Sequence, residues 1–269
     1  MDLLYPAKKD FFLAYSKIAP VSLFLIRAKE CELFASYVYE RPILDIGCGE
    51  GIFAQQLFSE QIDMGYDLSL CNVQSAKTSR AYKNVCCGKA EALPFTSCFF
   101  RTVISNCVLE HVEDVDMVLS EIYRVLAPGG RAYLSVTTPF YSEAHSLSDL
   151  VYDKTGVRMA FGPKIIDRLF SHTFNLDSFQ WKEKITKTGL TIKEMYPYLS
   201  PQVLHIMGIF LVFSISPFIC KMTINRWRIF PQLNRPKVLM NFIRKCYDEK
   251  SKEGGCLFFV VSKDSDRVA

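Results

Sequence analysis

An apolar run that ends in a glycine-punctuated turn, Pro42-Ile43-Leu44-Asp45-Ile46-Gly47-Cys48-Gly49-Glu50-Gly51, restricts this chain more than any other stretch. Pro42 to Ile46 reads as a short buried strand, and glycines at 47, 49 and 51 give a turn in which the backbone can approach a ligand without Cβ interference. Ile52 to Glu60 follows with a helical pattern, so the unit is strand, turn, helix, with a cofactor expected at the turn. Asp45 lies inside the apolar run, where an ionised carboxylate is costly unless something pairs with it. The sequence therefore demands a partner for Asp45.

The same alternation continues downstream. Ile62 to Asp67 is a second strand closing on an acid, Leu68 to Arg80 a second helix, and Asn84 to Cys87 a third strand. Phe100 to Asn106 is mostly apolar, as expected of a parallel strand covered on both faces. Glu113 to Leu126 is an amphipathic helix that stops at Ala127-Pro128-Gly129-Gly130, and Arg131 to Val136 is a fifth strand. Upstream, Val21 to Tyr39 has helical periodicity, and Phe11, Phe12 and Tyr15 share one helical face that could fold over the cofactor site. Five strands alternating with helices specify an α/β fold with a doubly wound parallel sheet and a ligand at the strands' carboxyl ends. Asp67 stands twenty residues after Gly47, where a carboxylate at a strand end can accept from both hydroxyls of a ribose.

Charge and cysteine content narrow the function classes. The 269-residue chain carries a formal charge of only +4, yet Lys221 to Lys252 holds nine Lys or Arg against two acidic residues. That asymmetry argues against nucleic-acid binding and for one basic surface. Ten cysteines occur without any Cys-x-x-Cys, so we expect reduced thiols and no metal site. Val21 to Ile26 is too short for the apolar core of a signal segment, and a cytoplasmic enzyme is expected.

Five motifs occur in order: Leu-Asp-Ile-Gly-Cys-Gly-Glu-Gly at 44 to 51, Gly-Tyr-Asp-Leu-Ser at 65 to 69, Ala-Glu-Ala-Leu-Pro-Phe at 90 to 95, Ser-Asn-Cys-Val-Leu-Glu-His-Val at 105 to 112, and Arg-Val-Leu-Ala-Pro-Gly-Gly at 124 to 130. Together they resemble a class I S-adenosylmethionine-dependent methyltransferase of the type 11 group, which includes the ubiquinone and menaquinone biosynthesis methyltransferases. The resemblance covers about residues 41 to 136. It implies a Rossmann-like, seven-stranded sheet with the last strand antiparallel, and S-adenosyl-L-methionine as cofactor. It also implies roles. Gly47, Cys48 and Gly49 would line the methionine part, Asp67 would hold the ribose, and Leu68 would pack on adenine. Ala90 and Glu91 would meet the adenine edge, Asn106 would close the site under the sulfonium, and Asp45 would orient the cofactor's amino group. One position departs from the pattern: Lys89 stands where relatives commonly have an acid that accepts from the adenine amino group, which a cation cannot do.

We expect one domain over 1–269: a helical cap at 1–40, a cofactor-binding core at 41–136, a substrate-side insertion at 137–188, and an apolar and basic helical insertion at 197–255. Ser178 to Thr188 reads as the last sheet helix, Leu190 to Met195 as the sixth strand and Cys256 to Ser262 as the seventh. Val203 to Cys220 is eighteen residues without a charge, at the lower limit for a membrane span. A single crossing would put the sixth and seventh strands on opposite sides of a bilayer. Two readings remain: a helix buried as part of a lid, or an apolar surface which, with the basic residues to 252, meets an anionic membrane. The expected location is cytoplasmic with peripheral membrane contact.

Methyl transfer from a sulfonium is an in-line displacement, so the protein chiefly aligns the reacting atoms. A hydroxyl acceptor also needs a base. The candidates are His145, in the segment that leaves the fifth strand, and His111, at the mouth of the fourth, with Glu110 and Tyr141 as lesser ones. The expected activity is methylation of a hydrophobic, lipid-linked or isoprenoid-type small molecule, O-methylation preferred. Its alternatives are C-methylation of a quinol-like ring and a non-catalytic methyltransferase-like partner. A nicotinamide dinucleotide is disfavoured because Ile52 stands where Gly-x-Gly-x-x-Gly requires glycine.

Overall fold

A computed structural model describes residues 2–141, 173–174, 176–213, 236–249 and 252–265. Its centre is the predicted unit. Strand β3 (Ile43–Ile46) is buried at every position, and α3 (Ile52–Leu57) starts at Gly51, whose φ of 81° favours glycine. Ahead of it come β1 (Leu3–Leu4), α1 (Phe11–Ile18), α2 (Val21–Phe34) and β2 (Tyr39–Glu40). Helix α1 is capped by the Asp10 carboxylate, which accepts from Leu13 N–H, and it buries Phe11, Phe12 and Tyr15, the three residues expected on one face. The α2 periodicity extends to Tyr39, but the helix ends at Phe34 because Tyr39–Glu40 pairs antiparallel with Leu3–Leu4.

The core continues with β4 (Ile62–Asp67), α4 (Leu70–Ser79), β5 (Tyr82–Cys87), β6 (Phe100–Asn106), α5 (Val115–Val125) and β7 (Leu126–Thr137). Ser69 caps α4 and Asp114 caps α5, each accepting from the helix's first turn. Strand β7 begins earlier than expected: Leu126 pairs with Phe100, and a register shift before Thr102 absorbs the Pro-Gly-Gly segment read as a stop. Further on lie α6 (Ser178–Lys187), β8 (Thr191–Tyr198), α7 (Pro201–Phe213), α8 (Lys237–Tyr247) and β9 (Cys256–Ser262). Asp177 and Gln180 form a capping box at α6, and Trp181 in that helix is fully buried, its indole N–H donating to the Thr137 carbonyl at 3.1 Å.

The seven-stranded sheet has the order β5-β4-β3-β6-β7-β9-β8. The first five strands are parallel, and β9 runs antiparallel to both β7 and β8. This is the expected Rossmann-like doubly wound sheet with its last strand antiparallel. Alternate residues of each strand feed two apolar layers. Ile43, Ile104, Tyr133 and Phe258 pack toward α1, α2, α3, α7 and α8, while Leu44, Val103, Leu134 and Phe259 pack toward α5 and α6. The chain reverses its direction of travel across the sheet between β3 and β6, which puts the expected ligand crevice at the carboxyl ends of those two strands.

In the described part of the 197–255 insertion, Val203, Leu204, Ile206 and Met207 of α7 are buried, and α7 packs on α2. This portion takes the buried reading; 214–220 lie outside the described residues. Strand β8 reaches Tyr198, so the insertion begins later than 197. Among the described residues no helix is long and apolar enough to cross a membrane.

Candidate active site

The turn after β3 is pinned to the next strand. Gly47 and Cys48 N–H groups both donate to the Tyr66 carbonyl, at 2.7 and 3.1 Å, and Gly49 N–H donates to Asp67 Oδ2 at 2.8 Å. The other Asp67 oxygen accepts from Ser69 N–H at 2.9 Å and Asn72 Nδ2 at 3.0 Å. Asp67 thus ties the glycine turn to the start of α4 while standing at the mouth of β4. The glycines do different work. A Cβ on Gly47 would run into the Val108 side chain, whereas one on Gly49 would meet nothing within 4 Å. Gly49 borders open space.

That space is a cavity of about 230 Å³ between the turn and the N-terminal helices. Asp45, Gly47, Cys48, Gly49 and Asn106 line it from the sheet side; Tyr15, Ala19 and Arg27 line it from α1, α2 and the link between them. The partner Asp45 requires is Tyr82, on β5, whose hydroxyl donates to Asp45 Oδ2 at 2.7 Å. Burial lifts the Asp45 carboxyl to about 7, with the Tyr82 hydrogen bond opposing and the Asp67 charge adding to the rise. Arg27 lies across the cavity. Burial works against its charge, but Glu30, 2.8 Å away, more than offsets this and the guanidinium's affinity for its proton increases. The cavity therefore offers a cation and a titratable acid at its walls.

The other predicted site residues lie outside the cavity lining. Leu68 is 67% exposed at the end of β4, a free apolar face next to Asp67. Ala90 is half-buried, and the Glu91 carboxylate accepts from the N–H groups of Glu113 and Asp114, so it braces the turn before α5. The Lys89 ammonium pairs with Glu113 at 2.7 Å, which raises its affinity for the proton. His111 is exposed in the turn ahead of α5, its N–H donating to the Val108 carbonyl. His145 lies outside the described residues. Glu110 is fully buried, and burial raises its carboxyl to about 7, with its own backbone N–H opposing the rise and the Glu30 charge adding to it.

Arg27, Glu30 and Tyr82 escaped the sequence reading. A signal for Glu30 was present: it sits four residues after Ile26 and four before Phe34, on the buried face of α2. A carboxylate there needs donors from elsewhere.

Residues 44–134 match the model of a family described as "Methyltransferase domain". This segment is similar to a methyltransferase domain. A malonyl-[acyl-carrier protein] O-methyltransferase of Erwinia billingiae is 32% identical over 125 residues, covering 44% of this chain and 47% of that protein. A ubiquinone biosynthesis O-methyltransferase of Sinorhizobium fredii is 32% identical over 133 residues, 44% of this chain and 52% of that one. The chain thus spans about half the length of the curated relatives it matches. Among solved structures, a SAM-dependent methyltransferase from Thermotoga maritima superposes with a TM-score of 0.55 at 17% identity, covering 91% of both chains. At that identity the superposition shows a shared fold.

Proposed function

We propose that this chain is an S-adenosylmethionine-dependent methyltransferase that acts on a hydrophobic, lipid-linked or isoprenoid-type small molecule and methylates oxygen in preference to carbon. The observation that carries the cofactor assignment is the cavity's pairing of Arg27 with Asp45 beside the Gly47–Gly49 turn. A free amino acid presents a carboxylate and an ammonium a few bonds apart, and the guanidinium fork suits the first as Asp45 suits the second. The cofactor, when bound, supplies an electrophilic methyl on sulfonium.

The chain's own residues do the rest. Asp67 is held by three donors at the end of β4, a place from which its remaining lone pairs can accept from ribose hydroxyls. Leu68 offers its exposed side chain as a platform for adenine. The Asn106 side-chain oxygen is buried, has no hydrogen-bond partner among the described residues and stands at the cavity wall. Alignment of nucleophile, methyl carbon and sulfur is the main contribution such a site makes, worth on the order of 7 to 11 kcal/mol. His145 is the proposed base, with His111 second.

The two relatives named for O-methylation support oxygen as the acceptor atom. For an apolar acceptor and an anionic membrane surface, the support is helix α8 within the basic stretch from Lys221 to Lys252. Helix α8 exposes Val238 at 83% and Phe242 at 59% beside Lys237 and Lys245. Transfer of labelled methyl from the donor into fractionated lipid and polar extracts tests the activity: label in the lipid fraction, lost in Gly49→Arg, is expected, and label only in the polar fraction overturns the substrate class. Co-sedimentation with anionic vesicles that weakens with salt is the expected membrane result, and none at low salt contradicts it.

A further inference from the structure

Arg27 is held from behind. Glu30 is wholly buried, and four side chains converge on its carboxylate. Arg27 Nη1 and Asn106 Nδ2 each donate to Oε2 at 2.8 Å; the Cys107 thiol and the Tyr198 hydroxyl donate to Oε1 at 3.0 and 3.3 Å. Ser135 completes the cluster, its hydroxyl 2.6 Å from the Tyr198 oxygen and 3.3 Å from Cys107 Sγ. The donors come from α2, the end of β6 and the residue after it, and β8, with Ser135 on β7. One helical carboxylate thus joins the carboxyl ends of β6 and β8, with β7 tied in through Ser135.

The two Glu30 oxygens divide their work. The pair on Oε2, Arg27 and Asn106, both line the cavity, whereas the pair on Oε1 do not. A buried carboxylate is expensive, so a site that merely needed packing would place an apolar side chain there. Here the carboxylate sits one residue-layer behind the cavity wall and fixes two of its polar groups. An arginine on a helix facing open space has many rotamers, and holding one guanidinium edge leaves the other edge aimed at a single place. Because Asn106 spends its amide N–H on Glu30, its carbonyl oxygen is the atom left over, and that oxygen has no partner among the described residues.

We propose that Glu30 is a positioning residue for cofactor binding: it holds the Arg27 guanidinium against the carboxylate of the cofactor's amino-acid part and turns the Asn106 amide so that its oxygen faces the same cavity. This rests on the methyltransferase reading above, and the test separates the two. Binding of S-adenosylmethionine and of its decarboxylated analogue is measured by calorimetry for the wild type, Glu30→Gln and Arg27→Ala. Wild-type protein binding S-adenosylmethionine upholds the functional reading; no binding by folded protein overturns both. Glu30→Gln should weaken S-adenosylmethionine about tenfold, the effect of losing one charge-assisted contact. The decarboxylated analogue has nothing for Arg27 to hold, so its loss in Glu30→Gln, which comes through Asn106 alone, should stay well below the tenfold loss of S-adenosylmethionine. Equal losses for both ligands would mean that Glu30 only supports the fold, and no loss for either would mean that Arg27 needs no help; each result overturns the proposal. If Glu30→Gln does not fold, Glu30→Asp keeps the charge but withdraws it from Arg27, and the same ligand-dependent loss is required of it.

Discussion

Replacing Asp45 by Asn should make the ligand-free protein more stable while weakening its hold on the cofactor. Asp45 is 3% exposed and its carboxyl is lifted from 3.8 to about 7. Between those values the unfolded chain is ionised and the folded chain is not, so this group's contribution to stability falls as pH rises from about 4 to about 7 and then levels off. At 1.36 kcal/mol per tenfold change in proton affinity, the full span corresponds to about 4 kcal/mol. Relaxation around the newly ionised group absorbs part of that, leaving about 2 kcal/mol at about pH 8. Asn keeps an oxygen to accept from Tyr82 and carries no charge, so it removes the penalty. For a chain of this length the gain is about 4 to 8 °C in melting temperature. The assay is thermal unfolding of both proteins across pH. Glu110, also raised to about 7, titrates in both and cancels from the difference. The two curves should meet near pH 4 and separate above 7, with Asn the more stable. Calorimetry on the same samples should show wild-type affinity for S-adenosylmethionine rising as pH passes about 7, and a weaker, pH-independent affinity in Asp45→Asn. A variant less stable than wild type at high pH, or a stability difference that does not change with pH, would mean that Asp45 carries no burial penalty in the folded protein.

Other substitutions probe the remaining walls. Asp67→Ala removes the acceptor for Gly49, Ser69 and Asn72, and should cost about 2 kcal/mol of stability in denaturant unfolding and at least about tenfold in cofactor affinity. Gly47→Ala and Gly49→Ala should behave differently although both glycines have positive φ. The first meets Val108 and should lose about 3 kcal/mol, while the second should lose only about 1 to 2 kcal/mol in melting experiments yet bind cofactor poorly, since its Cβ borders the cavity. Lys89→Ala should leave cofactor affinity within about twofold in equilibrium titrations, because the ammonium is turned to Glu113 on the surface.

The order of strands and helices was legible because each is a local pattern: apolar runs for β3 and β6, three-and-four spacing for α5, glycines at the turns. What lay hidden depends on distant partners. Nothing local says that Val21 to Tyr39 must stop being helical at Phe34; the reason is the pairing of Tyr39–Glu40 with Leu3–Leu4, at the other end of the cap. The need for a partner at Asp45 was readable, but the partner, Tyr82, is 37 residues away on another strand. Arg27 gave no signal in the sequence, since side-chain type alone cannot tell a helix face over a cavity from one over water. The predicted Asp45, Gly47, Cys48, Gly49 and Asn106 come together because they sit on adjacent strand ends. His145 lies outside the described residues.

On the proposed function, the cavity under α1 and α2 holds S-adenosylmethionine. The most direct test is a calorimetric titration of that compound into pure, folded protein at a pH above the Asp45 titration near 7. Saturable binding at a single site that disappears in Gly49→Arg is expected; folded protein that takes up no cofactor, or a Gly49→Arg variant that binds as well as wild type, would rule the cavity out as the cofactor site.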